Sequence, residues 1–238
     1  MGERTVYFSP GEWFHCYNRG VDKRRTFLDT SDYRRFLAIL YACNSTKPIH
    51  VSNYEQGFRS KSLIDVLRIK REGQLVDIGA YDLMPNHYHF LLRERHDGGI
   101  TSFMRKVGTA YTMYFNIKYD RTGALYGGAF KAKHVRTDSY FVRVLNYIHG
   151  NHAALSEPKW KEGKIRNETG LIQKLTAYPY SSFADYYGEA RDESNIIDRH
   201  AVLEVIDKMP TIANLIQEAR TFARQHDDEI FPDRKMAR

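Results

Sequence analysis

The sequence predicts an α+β fold: a central antiparallel sheet, helices on one face of that sheet, and a helical C-terminal extension. Two observations lead to this prediction. Strand-like and helix-like patterns alternate along the chain, and two of the strand-like stretches are separated only by a short turn. The 238 residues are 42% apolar, which is enough to bury a core, and no internal repeat divides them.

Each element follows from its residue pattern. Ser31 or Asp32 is expected to cap the first helix, and Asp138 the helix that contains Tyr147. The second long helix has aromatic residues at helical spacing, which we interpret as core rather than as a base-stacking surface. The predicted elements are, in chain order, a strand (13–18), a helix (32–44), a short helix (63–69), a hairpin (75–82 and 87–93), a helix (101–118), a turn and strand (123–136) and a helix from residue 138.

Charge is distributed unevenly along the chain. Residues 1–180 contain 28 Lys and Arg against 17 Asp and Glu, whereas residues 181–238 contain 8 against 12. The basic part favours a polyanionic partner. The chain has only Cys16 and Cys43, no apolar stretch long enough to span a membrane and no signal-peptide pattern. A cytoplasmic protein, associated with the nucleoid when bound to DNA, is therefore expected.

The tripeptide His87-Tyr88-His89 is the most informative motif. Because side chains alternate along a strand, His87 and His89 point to one face about 7 Å apart, so both imidazoles can reach one divalent cation. The alternative is that they are two polar residues on the solvent face of a hairpin. Spacing alone does not decide between these interpretations.

A tyrosine on the last helix supplies a possible nucleophile. Tyr147 and Asn151 are four residues apart and share a helix face, beside the apolar stripe but outside it. A metal at this site would polarise a phosphodiester, and the tyrosine would attack the phosphorus atom. The 3′-hydroxyl would leave, and a covalent protein–DNA intermediate would form. Tyr140, one helical repeat earlier, competes for the same role.

Several separated stretches resemble one family, the HUH single-tyrosine transposases, and most closely the REP-associated tyrosine transposases. The likeness spans about residues 11–205, and the order and spacing of the stretches make it specific. The stretches are Phe14–Gly20, Leu83–Leu92, Tyr114–Asn116, Gly123–Tyr126, Phe130–Ala132, Tyr147–Asn151 and Tyr178–Ser182.

The resemblance implies a ferredoxin-like HUH fold and a set of functional residues. His87 and His89 would bind Mg²⁺ or Mn²⁺, Tyr147 would be the nucleophile, and Asn151 would be the third metal-associated residue. The implied substrate is single-stranded DNA folded into a hairpin. The chain departs from the family in having Asn151-His152 where Asn-Pro is usual, which leaves His149 and His152 as alternative ligands.

Basic residues near these motifs are candidate phosphate contacts. We expect a catalytic domain over residues 1–190 and an acidic helical extension over residues 191–238, which would serve as a cap, a mask of the basic groove or a solubility element. The candidate DNA-binding residues are Arg19, Lys23, Arg24, Arg25, Arg105, Lys106, Lys131, Lys133, Arg136 and Arg143.

The function expected from the sequence is that of a metal-dependent single-stranded DNA endonuclease and strand transferase, a transposase that forms a 5′-phosphotyrosine. A non-catalytic hairpin-binding module is the alternative, and a replication initiator or relaxase ranks third. Family members occur as monomers and as dimers that exchange the tyrosine helix. The resemblance therefore does not decide whether this protein forms a homodimer.

Overall fold

The centre of the protein is a four-stranded antiparallel sheet. The structure is a computed structural model that describes residues 6–49 and 62–230. The strands lie in the order β2-β3-β1-β4, so that β3 and β1 are central and β4 is an edge. The strands are β1 (Trp13–Arg19), β2 (Val76–Met84), β3 (His87–Glu94) and β4 (Lys131–Val135).

The helices connect and cover these strands. The connection β1-α1-β2-β3-α3-β4 with this strand order is that of a ferredoxin-like fold, which confirms the predicted α+β class. The helices are α1 (Thr30–Cys43), α2 (Leu63–Leu67), α3 (Gly99–Lys118), α4 (Asp138–Gly150), α5 (Glu168–Ala177), α6 (Phe183–Tyr187), α7 (Arg199–Leu203) and α8 (Ile212–Ile230).

Helices cover both faces of the sheet, whereas the sequence predicted helices on one face only. The crossover helices α1 and α3 pack on one face, the first face, together with Phe14 and Cys16 of β1. The second face carries Trp13 and Tyr17 of β1 and is covered by α4, α7 and α8. Because both sets of β1 side chains are buried, as is every residue of β2, each face needs its own cover. The predicted domain boundary at residue 190 stays a prediction.

The helix caps differ from the predicted ones. Asp29 caps α1 by accepting hydrogen bonds from the backbone N–H groups of Ser31 and Asp32, and Asp32 closes a reciprocal capping box. Thr137, not Asp138, caps α4. In both cases the true cap lies before the expected residue, because a capping side chain has to reach N–H groups two or three positions further along.

Gly150, at the end of α4, lies close to Ala219 of α8. A Cβ atom at this position would lie only 2.7 Å from the Cβ of Ala219 and 3.5 Å from Cη2 of Trp160. Neither contact atom belongs to a flexible chain end. The glycine therefore permits a helix spacing that any larger residue would disturb.

Gly150→Ala should lower the free energy of unfolding by roughly 1–3 kcal/mol, because the added methyl group overpacks the contact. The same substitution in an Ala219→Gly background should cost much less, since the opposing methyl group is gone. Urea unfolding of the four proteins measures this coupling. A Gly150→Ala protein more stable than the parent would show that helix propensity outweighs the close contact.

Candidate catalytic and metal-binding site

The two histidines of β3 project together from the second face of the sheet. Their ring centroids are 5.2 Å apart, with His89 fully buried and His87 half-buried. The predicted shared face is confirmed, and it belongs to a central strand. Their role as metal ligands stays a prediction.

A third histidine, His15 of β1, contacts this pair. Its Nε2 lies 2.9 Å from Nδ1 of His89, so one ring donates a hydrogen bond to the other. Burial, followed by the charge of Lys133, lowers the pKa of His15 to about 3. Burial, followed by the neighbouring His15, also holds the pKa of His89 well below its usual value. Both rings are therefore neutral at neutral pH, which is the form that binds metals.

Asn151 lies next to His87, as predicted. It begins the 3₁₀ turn Asn151–Leu155 directly after α4, and its Nδ2 lies 3.2 Å from Nε2 of His87. The same nitrogen is 3.5 Å from Oδ2 of Asp82. Rotation of the amide by 180° would turn its oxygen, a possible metal ligand, toward the same space.

Asp82 of β2 is a site residue that the sequence reasoning missed. It is fully buried, pairs across the sheet with His89, and its Oδ1 accepts a 2.7 Å hydrogen bond from Nδ1 of His152. Nε2 of His152 lies 3.2 Å from the carbonyl oxygen of Leu175. His152, which stands where the family usually has Pro, is therefore held by these two oxygens and orients a carboxylate beside Asn151.

His149, the other alternative ligand, faces away from the histidine pair of β3. Its Nε2 lies 3.0 Å from Oγ of Ser182. Burial, followed by the nearby His152, lowers its pKa to about 3. The geometry therefore favours Asn151 over both His149 and His152 as the residue that completes a metal site.

Tyr147 lies against the histidines, but it is buried. Its side chain is 1% exposed, and its ring centroid is 5.3 Å from that of His89 and 5.9 Å from that of His15. The prediction that Tyr147 lies outside the apolar stripe is wrong, because Phe222 of α8 covers it at 5.1 Å. Nζ of Lys161 lies 5.8 Å from the same ring. Lys161, from the turn before α5, is a second residue that no motif identified.

The donor set suits a divalent cation that keeps open positions for substrate oxygens. Two imidazoles and one amide are nitrogen and oxygen donors, and they leave part of a coordination sphere unfilled. No group of three or more His, Cys, Asp or Glu side chains within residues 6–49 and 62–230 is arranged to hold a metal ion. The candidate site therefore depends on the amide of Asn151.

The candidate DNA-binding residues lie in different regions of the structure. Arg19 pairs with His87 across β1 and β3, and Lys131 and Lys133 lie opposite Tyr17 and His15, so these three belong to the second face. Lys106 instead donates a hydrogen bond to the carbonyl oxygen of Ser45, near the end of α1. The other candidates are exposed: Lys23, Arg24, Arg25, Arg105, Arg136 and Arg143.

Comparison with known families agrees with this geometry. Residues 54–151 match the family described as "Transposase IS200 like". This match covers less than half of the chain. It runs through β2, β3, α3, β4 and α4, and so contains His87, His89, Tyr147 and Asn151.

The chain is also similar to one solved structure, described as a REP-associated tyrosine transposase bound to a REP hairpin. The identity is 15%, the TM-score is 0.48, and the similarity covers 81% of this chain and 90% of the other. No curated protein shows significant similarity. None of the helices within the described ranges is both long enough and apolar enough to cross a membrane.

Asp82→Ala should lower the free energy of unfolding by about 2–4 kcal/mol, because it leaves the buried His152 ring without its carboxylate partner. Asp192→Ala is the matched control, since Asp192 forms a partly exposed ion pair with Arg68 at 3.5 Å. It should cost less than about 1 kcal/mol. Equal costs in chemical unfolding would show that the buried pair has no special structural role.

Proposed function

We propose that the protein is a metal-dependent single-stranded DNA endonuclease and strand transferase that acts on hairpin DNA through a 5′-phosphotyrosine intermediate. One observation carries this proposal. Tyr147 packs against His89, while Asn151, one helical turn further on, contacts His87. A candidate nucleophile and candidate metal donors thus share one side of the sheet, within a segment that matches the family described as "Transposase IS200 like".

His87, His89 and Asn151 would hold the cation, Mg²⁺ or Mn²⁺. Members of the IS200-like family generally depend on divalent metals. When bound, the cation polarises the scissile phosphate. Asp82 and His152 would position the Asn151 amide, because the Asp82 carboxylate lies beside that amide and is itself held by His152.

Tyr147 would attack the phosphorus atom. The new bond joins the tyrosine oxygen to phosphorus, the bond from phosphorus to the 3′-oxygen breaks, and the 3′-hydroxyl leaves with a proton. An unperturbed phenol has a pKa near 10, so a nearby cation helps to form the phenolate. Lys161 is such a cation. Because the phosphotyrosine ester conserves much of the bond's free energy, a second hydroxyl can attack it and rejoin the strands without ATP.

The burial of Tyr147 sets a condition on this chemistry. Phe222 lies over the ring, and Arg224 of the same helix donates a 2.5 Å hydrogen bond to the carbonyl oxygen of Lys161. A DNA backbone reaches Tyr147 only when this part of α8 moves away. Of the roles expected for the C-terminal extension, that of a cap is best supported by these contacts.

A non-catalytic hairpin-binding module is the second candidate. The observation in its favour is the same burial, since a tyrosine that stays covered contributes to stability and not to catalysis. On that reading, the basic residues bind DNA and the residues of the site only support the fold. The two functions differ in whether a covalent adduct forms.

Wild type incubated with end-labelled single-stranded hairpin DNA and Mn²⁺ or Mg²⁺ should form a covalent adduct that survives denaturing electrophoresis. Tyr147→Phe should abolish it, because the nucleophilic oxygen is lost and only one buried atom is removed. Tyr140→Phe is the matched control and should retain the adduct. The adduct should be absent in EDTA and strongly reduced in His87→Ala.

An adduct lost in Tyr140→Phe and kept in Tyr147→Phe would move the nucleophile to Tyr140. If no protein gives an adduct while all of them bind the hairpin in a salt-sensitive way, the binding module becomes the better description. Binding of Mn²⁺ to Tyr147→Phe, followed by its electron paramagnetic resonance signal, tests the metal site without chemistry. That binding should weaken at least tenfold in Asn151→Ala.

Loosening α8 should speed adduct formation. Nδ2 of the buried Asn146 donates a 2.6 Å hydrogen bond to Oε2 of the exposed Glu218, which ties α4 to α8. Glu218→Ala leaves that amide unsatisfied and should raise the initial rate about three- to tenfold. Glu218→Gln keeps an acceptor and should behave like wild type. Equal rates in all three proteins would show that uncovering Tyr147 does not limit the reaction.

A further inference from the structure

A groove runs along the exposed edge of the sheet, beside β4. It has a volume of about 590 Å³, and its lining includes Tyr7, Lys133, His134, Arg136 and Tyr140. β4 pairs only with β1, so its outer side has no neighbouring strand among the described residues. The groove thus combines an open strand edge, two aromatic side chains and two basic side chains.

Tyr7 is the most unusual residue of the groove. Its side chain is 89% exposed, although its neighbour Phe8 packs edge-on against Phe14 at 4.8 Å and stacks with Phe130 at 6.1 Å. The backbone at this point is therefore anchored while the tyrosine ring faces solvent. An anchored, exposed aromatic ring is a suitable platform for stacking a planar ligand.

The charge of the groove is positive. Lys133 and Arg136 line it, and Arg143 is exposed one turn after Tyr140 on α4. Glu12, an acidic residue at this edge, is engaged with Nε2 of His134 at 2.8 Å. The surface is therefore complementary to a phosphate backbone whose bases stack on aromatic rings, a combination typical of single-strand binding sites.

The groove leads toward the candidate nucleophile. Tyr140 and Tyr147 are seven residues apart on α4, and both rings pack against Phe222, at 5.7 Å and 5.1 Å. Two helical turns separate them by about 10 Å along the axis. That distance corresponds to about three stacked nucleotides. A strand that lies in the groove can therefore continue to a phosphate at Tyr147 once the covering part of α8 has moved away.

Lysines on an edge strand also have a simpler explanation, since they prevent edge-to-edge pairing between copies of a protein. That explanation accounts for Lys131 and Lys133. It does not account for the solvent-facing ring of Tyr7, or for Arg136 and Tyr140, which lie beyond the strand.

We propose that this groove binds the single-stranded DNA that flanks the hairpin, with Tyr7 and Tyr140 stacking on unpaired bases and Lys133 and Arg136 contacting phosphates. The inference rests on the proposed function and assigns a location to the part of the substrate next to the cleaved bond. Duplex DNA is a poorer fit, because paired bases present no free face to an exposed ring.

The test compares two hairpins with the same stem, one blunt and one carrying a single-stranded flank on each side. Binding is measured by fluorescence anisotropy in EDTA, with Tyr147→Phe as the parent so that no strand is cut. Adding Tyr7→Ala should weaken binding of the flanked hairpin about five- to tenfold and leave the blunt hairpin unchanged. Arg136→Ala should weaken binding of the flanked hairpin only. The salt dependence of that binding should fall by the equivalent of about one phosphate contact.

Arg34→Ala is the control for lost charge, since Arg34 is exposed on α1, which packs on the first face. It should not distinguish the two hairpins. If Tyr7→Ala weakens binding of both hairpins equally, the groove contacts the stem and not the flank. If it weakens binding of neither hairpin, only the edge-protecting role is left. Both results overturn the proposal. Adduct formation by wild type is measured in a separate experiment. If no adduct forms but Tyr7→Ala still weakens binding of only the flanked hairpin, the proposed catalytic function is wrong and the groove proposal stands.

Discussion

The structure depends on how α4 packs against the second face of the sheet. That face carries His15, His89 and Asp82 among apolar side chains, and buried polar groups are costly unless they have partners. The partners come from the sheet itself and from the end of α4, where His152 reaches Asp82 and Asn151 reaches His87. One packing interaction therefore gives Asp82 and His87 their partners and brings the tyrosine to the histidines.

Much of this arrangement could be predicted from short-range patterns. Alternation along a strand is enough to place His87 and His89 on one face, and the helical period is enough to place Tyr147 near Asn151. The ferredoxin-like order of strands agrees with the resemblance of the motifs to a known family. These features are local, or depend on residues close in sequence, and for that reason the sequence shows them.

The remaining features depend on contacts between distant parts of the chain. Asp82 and His152 are 70 residues apart. No pattern marks Asp82 as functional, and the sequence indicates His152 only as an alternative metal ligand. The burial of Tyr147 comes from α8, whose apolar side has no sequence signal for the surface that it covers. The predicted helix caps were also wrong. Asp29, Ser31 and Asp32 all suit a helix start, and only their geometry identifies Asp29 as the cap.

The contact between Gly150 and Ala219 has a consequence for affinity. Gly150 lies between Tyr147 and Asn151 on the chain, and a Cβ atom at this position would lie only 2.7 Å from the Cβ of Ala219 on α8. DNA that binds only when α8 has moved away selects a minor population of the protein. Its apparent dissociation constant then equals the intrinsic one divided by the fraction of molecules in that population. Under the proposed function, a methyl group added at Gly150 would therefore change both how firmly α8 is held and how tightly a strand is bound.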